Sequence, residues 1–181
     1  VDSGSEQLIE AIRSRAERLY VSKQLLCSEA VLVAINEALG GGLTEDQAIG
    51  LAAGLPMGLG DSGCLCGALS GGALSLGLIL SNGKCMRRRK EIRQGAKQLH
   101  DWFKGAHKSA CCRVLSKKVK GDPKKHFDQC ASLTAETAEM TARLILEARP
   151  ELVEQARRNY FPRQETATCS RLKRIMNVFC R

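Results

Sequence analysis

Apolar residues recur along this chain at three- and four-residue intervals and nowhere alternate in the strict period of a half-buried strand, a pattern that predicts an all-α fold. Leu8, Ile9, Ile12, Ala16 and Leu19 share one side of a first helix, which Ser3 and Glu6 open as a capping box and which reaches about Gln24. A second begins at Cys27-Ser28-Glu29, carries Ala30, Val31, Val33, Ala34, Ile35 and Leu39, and stops at Gly40-Gly41-Gly42, where glycine supplies a left-handed exit. Thr44 and Gln47 cap a short helix running through Leu55, and Pro56 ends it because proline cannot continue the hydrogen-bond ladder.

The stretch from Cys64 to Leu80 is nearly uncharged but rich in glycine and serine, and it falls short of the about 20 residues that span a bilayer, so it reads as a buried helix. Gly67, Ser70, Gly71, Leu74 and Gly77 recur there at helical spacing, and small side chains let a backbone or a cofactor approach closely. Ser81-Asn82-Gly83 breaks the chain before a basic amphipathic helix with Ile92, Ala96, Leu99 and Trp102 or Phe103 inward, ending near Gly105. Ser109 is placed to cap a short helix with Cys111 and Cys112 in its first turn. Beyond Gly121-Asp122-Pro123, a helix from about Phe127 to Ala148 carries Cys130, Leu133, Thr137, Met140, Leu144 and Ile145. Pro150 precedes a further helix, Glu151 to Asn159, and Thr168 to Arg181 forms an amphipathic C-terminal helix with Cys169, Leu172, Met176 and Phe179 on one side. The expected architecture is a helical bundle with cysteines near helix N-termini, residues 1–150 forming a cysteine-rich domain and 151–181 a helical extension.

Charge changes the picture locally. Of a net charge of +9, the segment from Lys84 to His126 accounts for +12, with 15 Lys or Arg against Glu91, Asp101 and Asp122, and leaves the rest at −3. Such a face can bind nucleic acid, anionic lipid or an acidic partner, or balance an anionic metal–thiolate centre, and a merely solvated helix face is the first expectation. Arg87, Arg88, Arg89, Lys90, Arg93 and Lys97 are its candidates for binding nucleic acid or an acidic partner, but the scarcity of aromatics speaks against base stacking, and nucleic acid is not the expected partner. His100, His107 and His126 lack ligand-spaced partners. Phosphate loops, dinucleotide fingerprints, Gly-x-Ser-x-Gly elbows and His-Glu-x-x-His helices are absent from the sequence.

Nine cysteines carry the candidate chemistry. An odd count implies at least one free thiol and points to a reducing, cytoplasmic setting rather than a disulfide framework. The polar start Val1 to Ser5 shows no signal-peptide pattern, although it lacks an initiator Met and a removed leader stays open. In Gly63-Cys64-Leu65-Cys66-Gly67-Ala68-Leu69-Ser70-Gly71, a glycine-rich loop delivers a thiol to the start of an apolar helix, whose amides and dipole favour thiolate. Cys27 and Cys112 also fall in first turns of expected helices, and Cys130 lies early in one.

In this order Cys27-Ser28-Glu29-Ala30, Cys66-Gly67-Ala68-Leu69-Ser70-Gly71, Cys112-Arg113-Val114-Leu115 and Cys130 resemble the C_GCAxxG_C_C family of redox-active proteins over about residues 15 to 147. The resemblance implies an all-helical domain with a redox or iron–sulfur role. A similar domain occurs in split-Soret-type cytochromes, but no Cys-x-x-Cys-His site is present here, so haem chemistry does not carry over. With Cys27, Cys66, Cys112 and Cys130 as metal ligands, four thiolates suit a [2Fe–2S] or [4Fe–4S] cluster, and the backbone at Gly67, Ala68 and Gly71 offers room and donors around it. Zinc is the alternative occupant, although short Cys-x-x-Cys knuckles are missing. Cys64, Cys85, Cys111, Cys169 and Cys180 are additional, and Cys64 or Cys111 can substitute as ligand or act as a resolving thiol.

The expected function is electron transfer to or from a partner protein through a four-cysteine iron–sulfur cluster. The competing reading is a thiol–disulfide or thiol-sensing protein using Cys66. A homodimer is expected because glycine-rich helix faces and the C-terminal helix offer more apolar surface than one small bundle covers, and no membrane span is expected.

Overall fold

The structure, a computed structural model, describes residues 3–83 and 85–161. The elements are α1 (Ser3–Val21), α2 (Cys27–Leu39), α3 (Glu45–Ala52), the single turn α4 (Pro56–Leu59), α5 (Gly67–Ser81), α6 (Cys85–His107), α7 (Cys112–Ser116), α8 (Pro123–Ala148) and α9 (Leu152–Asn159). The all-α expectation is met: among the described residues the only extended pairing is one isolated bridge between Leu65 and Cys111. The expected amphipathic helix from Thr168 to Arg181, with Cys169 and Cys180, lies outside the described residues.

Helix α2 forms the axis. Ala30 to Ile35 are each at most 1% exposed, so the helix is apolar all round and must be enclosed by others. Helices α1, α5 and α8 pack along it, and α6 covers the outer side of α5. Leu8, Ile9, Ile12, Ala16 and Leu19 of α1 are all buried, as their spacing predicts. Ser3 is already helical, however, and both Glu6 oxygens accept from Arg143 of α8 rather than closing a capping box. The Thr44–Gln47 box is formed, and Gly40 leaves α2 in the left-handed conformation at φ 68°. Phe103, not Trp102, is the fully buried aromatic of α6.

One boundary and one helix face differ from the sequence reading in ways that bear on the site. Helix α8 starts at Pro123, because Asp122 is its N-cap and accepts from the Lys125 amide, and proline suits the first helical position. Cys130 therefore sits about two turns inside α8 rather than near its start. On α5 the inward face is also not the expected one. Gly67, Gly71 and Gly72 are buried, whereas Leu74 is 37% exposed and a Cβ at Gly77 would meet nothing within 4 Å. At Gly71 a Cβ would lie 2.5 Å from the Ser28 carbonyl oxygen and 2.9 Å from its Cα, so this glycine sets the α2–α5 contact. The Ser28 hydroxyl is buried there and donates to the Ala52 carbonyl at 3.0 Å. Leu152, Val153, Ala156 and Tyr160 join the same hydrophobic core as α1 and α2. No helix among the described residues is long and apolar enough to cross a membrane.

Candidate functional site

The cysteines meet at the end of the bundle where α1 finishes and α2 and α5 begin. Residues 57–63 make a tight reversal with positive φ at Met57, Gly58, Leu59, Gly60, Asp61 and Gly63. For Met57, Leu59 and Asp61 this conformation costs on the order of 1–2 kcal/mol each relative to ordinary backbone. The turn is held by the Gly63 and Cys64 amides donating to the Met57 and Gly58 carbonyls at 3.1 and 2.9 Å. Gly58 combines φ 78° with close approach, since a Cβ there would fall 2.5 Å from the Cys64 nitrogen and 2.8 Å from the Cys112 Cβ.

The strand-like piece after this turn is stitched to residues 110–113. The Cys66 amide donates to the Ala110 carbonyl at 2.8 Å, the Cys112 amide to the Cys64 carbonyl at 2.6 Å and the Arg113 amide to the Gly63 carbonyl at 3.0 Å. The Cys111 thiol donates to the Gly63 carbonyl at 3.2 Å. Backbone pairing thus sets Cys112 opposite Cys64 and Ala110 opposite Cys66, with Cys66 and Cys112 diagonally across the Leu65–Cys111 bridge. Cys66 is the N-cap of α5, one residue ahead of its first turn, and Cys111 rather than Ser109 is the N-cap of α7, leaving Cys112 as its first residue. The Ser109 hydroxyl instead accepts from the Cys111 amide at 3.1 Å.

Cys27 reaches the same place from α2. A Cβ at Gly67 would lie 2.5 Å from the Cys27 Sγ, so the missing side chain at position 67 is the space that sulfur uses. From α8, Cys130 faces Cys27 and Cys112, with the Tyr20 hydroxyl placed to favour its thiolate. Tyr20 is held by stacking on Phe127 at 5.1 Å between ring centroids, with the Lys23 ammonium 5.8 Å from the Phe127 centroid.

The electrostatics record the convergence. Burial pushes the Cys66 thiol up to about 12, and thiolate at Cys27 or Cys112 would raise it further, while the Ala68 and Leu69 amides act in the opposite direction. Cys130 is pushed up to about 11 by burial and by the Cys27 and Cys112 charges. Burial also raises Cys27, where Cys112 adds repulsion and the Met57 and Ser28 amides oppose it, and raises Cys112, where Cys111 and Asp61 add repulsion. The sequence expectation of a thiolate-favouring helix start at Cys66 is therefore corrected: at 5% exposure, desolvation outweighs the amides.

A pH dependence follows for the reduced, metal-free chain. Thiols whose folded values lie above the ordinary 9.0 hold protons that the unfolded chain releases, so their contribution is complete below about pH 9 and is lost as pH rises toward 11 and 12. Urea unfolding should show a midpoint that falls between about pH 8.5 and about pH 10.5, and that falls less when Cys66 and Cys130 are replaced by alanine. An equal fall in that double variant would assign the loss to other groups.

All four expected ligand positions, Cys27, Cys66, Cys112 and Cys130, thus lie at one end, as free thiols. Cys64 is exposed and Cys111 half-buried beside them, and the side chain of Cys85 is outside the description. Of the expected cofactor-contacting residues, Gly67 lines the centre, Ala68 is fully buried with its amide toward Cys66, and Gly71 packs on Ser28. As they stand, the described residues contain no group of three or more His, Cys, Asp or Glu that could hold a metal ion. Tyr20, Phe127 and Gly58 were not singled out by the sequence reading. The positive-φ turn had a signal in the glycines at 58, 60 and 63, whereas Tyr20 had none.

The chain matches no curated protein and no solved structure. A family sequence model matches residues 25–144, a span that contains the whole cysteine centre, and by that match the chain belongs to the family described as "Putative redox-active protein (C_GCAxxG_C_C)".

Proposed function

We propose that this redox-active chain holds an iron–sulfur cluster, [2Fe–2S] or [4Fe–4S], on Cys27, Cys66, Cys112 and Cys130, and exchanges electrons with a partner protein. The observation that carries the reading is the mutual approach of four free thiols from α2, α5, α7 and α8, each opposed in ionising by burial, with Cys112 adding repulsion at Cys27, Cys66 and Cys130. Four thiolates crowded in this way require a compensating cation, and thiolate sulfur is a soft donor suited to iron–sulfur chemistry. When bound, such a cluster supplies an electron-transfer couple.

The chain's own contributions are distinct. The Ala68 and Leu69 amides and the Tyr20 hydroxyl direct donors at Cys66 and Cys130, which raises a cluster potential, and Gly67 leaves room for the Cys27 sulfur. A single zinc ion needs four sulfurs at about 2.3 Å from one point, and the short Cys-x-x-Cys knuckles that usually supply them are missing from the sequence. Cys66 as a reactive thiolate is disfavoured by its burial and raised pKa.

Anaerobic purification and reconstitution, followed by iron, sulfide and zinc analysis with visible spectroscopy, tests the proposal. Iron and sulfide in matching amounts with charge-transfer absorption are expected. A folded, reconstituted chain containing neither, or containing zinc instead, overturns it.

We also propose a homodimer in a reducing, cytoplasmic setting. Gly67, Gly71 and Gly72 are buried within the chain and offer no surface to a second copy. The outward faces of Leu74 and Gly77 remain as apolar surface on α5. Sedimentation of the intact chain and of a form ending at Asn159 is expected to give dimers in both if α5 is the interface, and a monomeric intact chain refutes dimerisation.

A further inference from the structure

The basic block of the sequence is divided by the fold between two ends of the bundle. Arg87, Arg89 and Arg93 lie in the first turns of α6, at the end where α5 finishes. Helix α6 then runs back antiparallel along α5, so that the segment after His107 arrives beside Cys66, where Ala110 accepts from the Cys66 amide. The second half of the block follows Cys112 directly. Lys117, Lys118, Lys120, Lys124 and Lys125 are all exposed on the turn between α7 and the start of α8. The carboxylate among them, Asp122, is committed to the α8 cap and to Lys125.

Exposed apolar side chains gather at the same end. Met57 is 53% exposed, Leu59 57%, Leu65 41%, Val114 56% and Leu26 48%. Single exposed hydrophobics are ordinary, but these five share one relation to the thiols. Leu26 precedes Cys27, Leu65 lies between Cys64 and Cys66, Val114 follows Cys112 by two residues, and Met57 and Leu59 flank the glycine that backs Cys112.

The geometry points to the cysteine end as a docking face for an acidic protein, with Leu26, Met57, Leu59, Leu65 and Val114 as its apolar contact and the lysines from 117 to 125 as its steering rim. An apolar centre inside a charged border is the anatomy of a transient protein interface, and the border's sign selects a partner of opposite charge. A strand of nucleic acid would lack stacking surfaces, because Tyr20 and Phe127 stack on each other and Trp102 packs edge-on against Phe103 and His107. Identifying the acidic partner as an electron carrier rests on the iron–sulfur reading, whereas the docking itself does not.

The test is calorimetric titration of the full chain with two acidic electron carriers, a plant-type ferredoxin and a flavodoxin, at low and at physiological ionic strength. Binding to at least one is expected, weakening with salt. The triple variant Lys117→Glu/Lys118→Glu/Lys120→Glu should weaken it tenfold or more, and Val114→Asp should weaken it as well. Arg87→Glu/Arg89→Glu/Arg93→Glu, at the other end, should change it less than twofold. Circular dichroism establishes that each variant is folded, and Val114→Asp decides if the charge triple is not. Binding to neither carrier, equal weakening by both triples, or tighter binding to a single-stranded RNA oligomer or to phosphatidylserine vesicles overturns the docking face. A dimer that Val114→Asp dissociates overturns it too, since the second copy would then be the occupant. A chain without iron and sulfide that still binds a carrier sinks the cluster reading alone, and a cluster-bearing chain that binds neither sinks the docking face alone.

Discussion

Gly71→Ala is expected to lower the unfolding free energy by about 3 kcal/mol, at the upper end of what overpacking a core usually costs. The added Cβ would meet backbone, at 2.5 Å from the Ser28 carbonyl oxygen and 2.9 Å from its Cα, and a main chain inside a buried helix cannot swing aside as a side chain can. Relief would require α2 and α5 to separate, which would also disturb the buried Ser28–Ala52 hydrogen bond and carry Cys27 away from Cys66. Gly77→Ala provides the contrast within the same helix. Its Cβ would enter open space, and replacing a mid-helix glycine by alanine should stabilise by about 0.5–1 kcal/mol. Urea unfolding of both variants checks the pair, and a loss below about 1 kcal/mol for Gly71→Ala would mean that the α2–α5 contact is not set by this glycine.

Cys66→Ser is expected to reduce iron, sulfide and visible absorption to background after reconstitution, with helical circular dichroism retained. Cys66 is buried at the open end of α5 with amides toward its sulfur, and serine offers a harder donor that a soft metal centre accepts poorly. Cys27→Ser, Cys112→Ser and Cys130→Ser should each lose most of the cluster. Cys64→Ser should retain it, because Cys64 is exposed and its backbone, rather than its thiol, builds the centre by accepting from the Cys112 amide. Retention in Cys66→Ser, or loss in Cys64→Ser equal to that in Cys112→Ser, would mean that a different four thiols ligate. Cys111→Ser distinguishes the remaining substitution, since the Cys111 thiol is already engaged with the Gly63 carbonyl at 3.2 Å.

Local physics was legible from the residues alone wherever one turn of helix contains the whole argument. The spacing of Leu8, Ile9, Ile12, Ala16 and Leu19 implies a buried stripe because side chains three and four apart must share a face, and the stripe is buried. Gly40 ends α2, and Thr44 and Gln47 cap α3, because both depend only on neighbouring backbone groups. The four cysteines, in their order and family context, were identifiable as a set, and the family match includes all of them.

Tertiary structure decided what depends on contacts between distant segments. The inward face of α5 was not readable, since a helix that is small or apolar nearly all round has no periodic contrast to set its phase. The start of α8 shows how one signal supports two readings: Asp122-Pro123 reads as a break, yet acts as an N-cap followed by a proline at the first helical position. The pairing of Leu65 with Cys111 is too short to leave an alternating pattern, although it brings the segments 64–66 and 110–112 together. Tyr20 meets Cys130 only because α1 lies along α8. The antiparallel return of α6 likewise separates one basic block into two ends and leaves half of it beside the thiols. Sequence determines helix period, caps and the identity of the thiols through interactions within a turn or two. Which of those thiols, charges and apolar side chains come to share one end depends on how the helices pack, because close approach at Gly58, Gly67 and Gly71 is a property of two segments at once.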